Sequence, residues 1–115
     1  MNMEYTHQPE YFFFAHRLVS FLEEYLRQHP ETDAEFNLQT IQHRVFGHDR
    51  ASSSINLESI LNIADEYQIH TERGMRPLIR QYEIHVENHV LTLHFHPESI
   101  QSLVAGASSI CPKVA

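Results

Sequence analysis

The stretch QYEIHVENHVLTLHFH, residues 81–96, alternates apolar and polar side chains on both sides of a polar break, and its reading decides the fold. With Asn88-His89 as a two-residue turn, a β-hairpin pairs Val86 with Leu91, Ile84 with Leu93 and Tyr82 with Phe95 on one face. The other face then sets His85 against Thr92, Glu83 against His94 and Gln81 against His96. One face is core, and the other is a histidine and glutamate surface. A one-residue slip would move the whole apolar set into water, so the pattern constrains its own pairing.

Upstream, Pro9 and Glu10 suit a first helical turn, and His29-Pro30 stops the helix that they open. Between them Tyr11, Phe12, Phe14, Ala15, Leu18, Val19, Phe21, Leu22, Tyr25 and Leu26 fill about half of a helical wheel. His16, Arg17, Ser20, Glu23, Glu24, Arg27 and Gln28 fill the rest, with Phe13 out of place on the polar side. Such an arc is wider than one packing contact requires. It serves either a deep position in the core or a homodimer or partner seam, for which Phe12, Val19 and Leu26, seven apart along one edge, are the expected residues.

Thr32 with Glu35 has capping-box spacing and Asn37 is a competing cap, so a second helix begins between Asp33 and Leu38. Leu38, Ile41 and Val45 are its stripe, and Gly47 ends it. His48 to Ser54 reads as a polar loop, and Asn56 caps a third helix that runs to about Gln68. His70 to Pro77 reads as a connector. After the hairpin, Pro97-Glu98 opens a short helix that Gly106 ends. The expected class is therefore α+β: three principal helices, a C-terminal antiparallel hairpin and a short closing helix. Residues 1–106 form one domain, and 107–115 a flexible tail.

The 115 residues suffice for one domain burying roughly two thirds of its unfolded surface. The lone Cys111 cannot form an internal disulfide and suits a reducing cytosol, and neither a signal peptide nor a membrane span is read. A formal charge of −7 disfavours nonspecific attraction to nucleic acid or anionic lipid. Ten histidines, titrating near pH 6.5, would carry that charge to +3 when fully protonated.

Three imidazoles, His85, His94 and His96, converge on the polar face of the expected hairpin. Such a set can ligate Zn²⁺. An ordinary solvated face explains them as well, and the expectation is that no metal and no other cofactor is held. No catalytic group is nominated either. Cys111 beside Pro112 lacks rigid support, Ser52 to Ser54 reads as loop, and the carboxylates are scattered.

The order helix, helix, loop, helix, hairpin over Glu31 to His96 is similar in outline to winged-helix domains, in which a helix enters the major groove and the hairpin flanks it. That resemblance implies phosphate contacts from Arg44 and Arg50 near the helix junction and from Arg73, Arg76 and Arg80 leading into the wing. Against it, the reading helix, Leu57 to Gln68, carries Glu58, Asp65 and Glu66 and no basic residue. The favoured expectation is a noncatalytic cytoplasmic regulator that binds a protein partner, as a homodimer. DNA binding is the alternative and metal binding the third.

Overall fold

The computed structural model describes residues 8–47, 57–106 and 109–112. In chain order these form α1 (Gln8–Gln28), β1 (Asp33–Asn37), α2 (Leu38–Phe46), α3 (Leu57–Ala64), β2 (Gln68–Thr71), β3 (Gly74–Pro77), β4 (Ile79–His85), β5 (Val90–Phe95), α4 (Pro97–Ala105) and β6 (Ile110–Cys111). The described residues thus mix four helices with two three-stranded antiparallel sheets, ordered β1-β5-β4 and β3-β2-β6. The expected C-terminal hairpin, β4 and β5, is one part of this larger arrangement.

The helix α1 buries Phe14, Ala15, Leu18, Val19, Leu22 and Leu26 and packs against α2, α3 and α4. Its last turn is closed by His29 N–H on Tyr25 O at 2.8 Å, just before Pro30. Arg27 fastens it to the end of α4, donating to Leu103 O at 2.9 Å while pairing with Glu23 at 2.8 Å. Arg17 does the same at the end of α2, donating to Arg44 O at 3.2 Å. In both cases a guanidinium satisfies a carbonyl near a helix C-terminus, where unpaired carbonyls collect.

The strand β1 replaces the early start expected of the second helix. Its side chains alternate, with Ala34 and Phe36 buried and Asp33, Glu35 and Asn37 exposed. This period of two outweighs the spacing of Thr32 and Glu35, because β5 has a second edge to satisfy. Phe95 N–H donates to Thr32 O at 2.7 Å and Leu38 N–H to His89 O at 2.9 Å. The competing cap wins: Asn37 Oδ1 accepts from Gln39 N–H at 2.8 Å and opens α2.

The hairpin has the expected faces but a different register. Ile84 pairs with Leu91, Tyr82 with Leu93, Gln81 with His94, Glu83 with Thr92 and His85 with Val90, two residues away from the pairing read above. A two-residue slip preserves which face each side chain takes. The turn decides between the two. A tight type I′ turn at Asn88-His89 demands positive φ at both residues. The loop Val86–His89 asks it of His89 alone, at φ 56°. Val86 consequently leaves the core and is 71% exposed. A bulge between Ile79 and Gln81 then brings Ile79 opposite Phe95.

Three further segments depart from expectation. Helix α3 ends at Ala64 rather than Gln68, and buried Tyr67 donates its N–H to Ala64 O at 3.0 Å. The connector His70–Pro77 lies in a second hairpin, β2–β3, turned at Glu72-Arg73, with Gly74 opening β3 at φ 96°. Thr71 Oγ1 supports that turn, donating to Gly74 O at 2.7 Å and accepting from Arg73 N–H at 3.1 Å. Within the segment read as a tail, Ile110–Cys111 pairs with β2. Helix α4 keeps its expected bounds, with Gly106 in the left-handed conformation at its end. Asn56 and Ser52 to Ser54 lie outside the described residues.

The register makes a direct prediction. Val86→Ser should change unfolding free energy by less than about 0.5 kcal/mol, whereas Leu91→Ala should cost about 2–5 kcal/mol. Urea denaturation of the two variants measures both, and a large loss at Val86 would restore the tighter turn.

Candidate functional site

Of the residues expected to form a seam, Val19 and Leu26 are core: they are 3% and 0% exposed within the single chain. Only Phe12 of the three is on the surface, so Val19 and Leu26 are taken up by the chain's own core. The reason lies in the neighbours. Phe36 of β1 sets its ring edge-on to Phe21 and Tyr25, at centroid distances of 5.5 and 4.9 Å, covering part of the arc left open in the sequence reading.

What α1 does present is an aromatic pair at its amino-terminal end, Phe12 at 50% and Phe13 at 56% exposure. Phe13 meets buried Phe14 edge-on at 5.4 Å, and Phe14 meets Phe46 of α2 at 4.8 Å, so the surface ring is backed by core. The Arg17 guanidinium lies over the Phe13 ring, 5.8 Å from its centroid. Phe13, the misfit of the helical wheel, was the visible signal for this patch.

The polar face of the first sheet brings two of the three expected histidines together and adds a partner from β1. The bonds at Thr32 and Leu38 make Asp33 and His94 a non-hydrogen-bonded pair, the position where opposed side chains come closest. His94 Nδ1 accordingly lies 2.6 Å from Asp33 Oδ1. A carboxylate only accepts, so that ring nitrogen carries the proton. Its other nitrogen is 3.9 Å from Glu83 Oε1, which His85 approaches to 3.6 Å. The imidazoles therefore turn to carboxylates. His96 lies beyond the end of β5, at the residue before α4. Among the described residues no group of three or more His, Cys, Asp or Glu could hold a metal ion.

The expected DNA-contacting arginines are dispersed. Arg44 lies over Phe21 of α1, 5.4 Å from the ring centroid, while Arg73 faces Glu98 of α4 at 3.6 Å. Arg76 and Arg80 flank the β3–β4 junction, and both act electrostatically on His96. Arg50 lies outside the described residues. Beside Arg73 is a cleft of about 500 Å³ between the β2–β3 turn and α4, lined by His70, Thr71, Glu72, Arg73, Glu98 and Gln101 among others. Glu98 Oε2 is buried there without a hydrogen bond, with the Arg73 guanidinium as its compensation.

Two ionisations are displaced near these groups. Burial, then Arg80, lowers the proton affinity of His96; Glu98 opposes this and Arg76 adds to it. Burial, then Glu58 and Asp65, raises that of Tyr82, whose hydroxyl donates to Asn62 Oδ1 of α3 at 2.6 Å. No helix among the described residues is long and apolar enough to cross a membrane. No family model, curated protein or solved structure matches the chain.

The lowered His96 value has a definite sign. Its contribution to stability is fully present above the unfolded-state pKa near 6.5 and is lost as pH falls through the folded value, because the unfolded chain takes up the proton first. Replacing the imidazole in His96→Asn should therefore flatten the fall in stability below pH 6.5. Urea titrations at several pH values measure the slope, and an unchanged slope would refute the assignment.

Proposed function

We propose that the protein is a noncatalytic regulator that acts through protein association, as a homodimer built around Phe12 and Phe13. The observation that carries this reading is the exposure of two adjacent aromatic rings at one helix end, backed by a packed core. Aromatic anchors of this kind supply much of the energy of protein contacts. A second copy is the occupant because a two-fold axis beside this end of α1 would bring the same rings together from both chains, which is how isologous interfaces form.

The two rings alone offer far less than the roughly 800 Å² per partner of a standard interface. They are the centre of a larger contact, and Arg17 is placed at its rim. The association is accordingly reversible at working concentrations. No acid and base pair or nucleophile is assigned a role, and the regulatory role rests on the association.

A second reading, a winged-helix-like DNA-binding regulator, is favoured by the bond from Tyr82 to Asn62, which sets the β4–β5 hairpin beside α3. The resemblance asks for that neighbourhood. Opposing it, α3 presents Glu58 and Asn62 to solvent, with Asp65 and Glu66 just beyond its end. Acidic groups there repel a phosphate-lined groove.

Sedimentation velocity tests the first reading. The wild type should move from monomer to dimer with rising concentration, and Phe12→Asp with Phe13→Asp should hold it monomeric with an unchanged circular dichroism spectrum. A wild type that stays monomeric at hundreds of micromolar, or a double variant that still dimerises, would overturn the proposal. Tight, site-specific binding to duplex DNA would move the second reading to first place.

A further inference from the structure

Six arginines are described, and four of them are engaged. Arg17 donates to a carbonyl and covers a ring, Arg27 bridges a carboxylate and a carbonyl, Arg44 covers Phe21, and Arg73 faces Glu98. Arg76 and Arg80 have no carboxylate, carbonyl or ring partner among the described residues, and both are exposed. They stand two residues to either side of Leu78, whose carbonyl accepts the His96 N–H at 3.1 Å. The backbone of His96 is thereby pinned opposite the midpoint between the two arginines.

We propose that Arg76, Arg80 and His96 form a binding site for a phosphate group. Burial first, then Arg80 and Arg76, makes a positive charge on His96 costly, and an anion bound between the guanidiniums and the ring would offset that cost. Phosphate suits the set better than carboxylate. A carboxylate presents one planar edge, which a single guanidinium fork fills, whereas a phosphate offers enough oxygens for two forks and an imidazole N–H. The facing carboxylate is Glu98, which opposes an anion and is itself paired with Arg73 at 3.6 Å. The formal charge of −7 favours a small phosphate or phosphomonoester over a long polyanion. This site is independent of the association surface on α1.

The test is a titration of the isotope-labelled full chain with inorganic phosphate at constant ionic strength, read at the His96 ring and the Arg76 and Arg80 side chains by NMR. Saturable shifts confined to these groups are expected, together with an upward move of the His96 titration midpoint. Arg76→Gln with Arg80→Gln, both at exposed positions, should weaken binding about tenfold or more. A second arm uses a short DNA duplex. Shifts at the same three residues, at lower concentration than free phosphate needs, support the site and assign its phosphate to a nucleic-acid backbone. Shifts that chloride reproduces, binding unaffected by the double substitution, or DNA shifts elsewhere without a phosphate response would each overturn the proposal.

Discussion

Strand β5 is hydrogen-bonded along both edges, to β1 and to β4, and most of the molecule is placed by that arrangement. Its inward side chains, Leu91, Leu93 and Phe95, are almost wholly buried. A strand so buried must pair its backbone groups on both sides, since each one left without a partner costs free energy comparable to a lost hydrogen bond. The hairpin supplies one edge. Residues Thr32 to Asn37 supply the other, and this takes them out of the helix that would otherwise begin there.

That third strand also determines the role of α1. With β1 in the sheet, Phe36 reaches Phe21 and Tyr25, and the remaining apolar positions of the helix meet α2, α3 and α4. The wide arc becomes core, and the apolar surface left over is concentrated at Phe12 and Phe13. The sheet's opposite face carries the carboxylates and histidines, joined across three strands by Asp33, His94 and Glu83. The exposed aromatic pair and the charged face thus occupy different parts of the fold.

Elements bounded by backbone chemistry were legible in the chain. Pro30 and Gly106 ended α1 and α4 where they should, and the alternation in residues 81–96 assigned the hairpin faces correctly. The failures share a physical cause, which is that local signals were degenerate. Two hairpin registers two residues apart bury the same face, and only the φ demands of a glycine-free turn separate them. Thr32 with Glu35 satisfied a capping rule while Ala34 and Phe36 satisfied a strand rule, and the choice belonged to a partner some 60 residues away. For the sites, Phe13 was readable as the one aromatic off the arc. The grouping of Arg76, Arg80 and His96 was not, because it depends on the bond between His96 and Leu78.

The pairing of β1 with β5 is the claim on which the rest stands, and cross-strand NMR contacts test it most directly. Glu35 and Thr92 face each other at a non-hydrogen-bonded position, where the two Hα atoms come close. The account predicts a strong Hα to Hα contact between them and slow amide exchange at Leu91, Leu93 and Phe95. Sequential amide contacts typical of a helix through Asp33–Asn37, with no Glu35 to Thr92 contact, would contradict it.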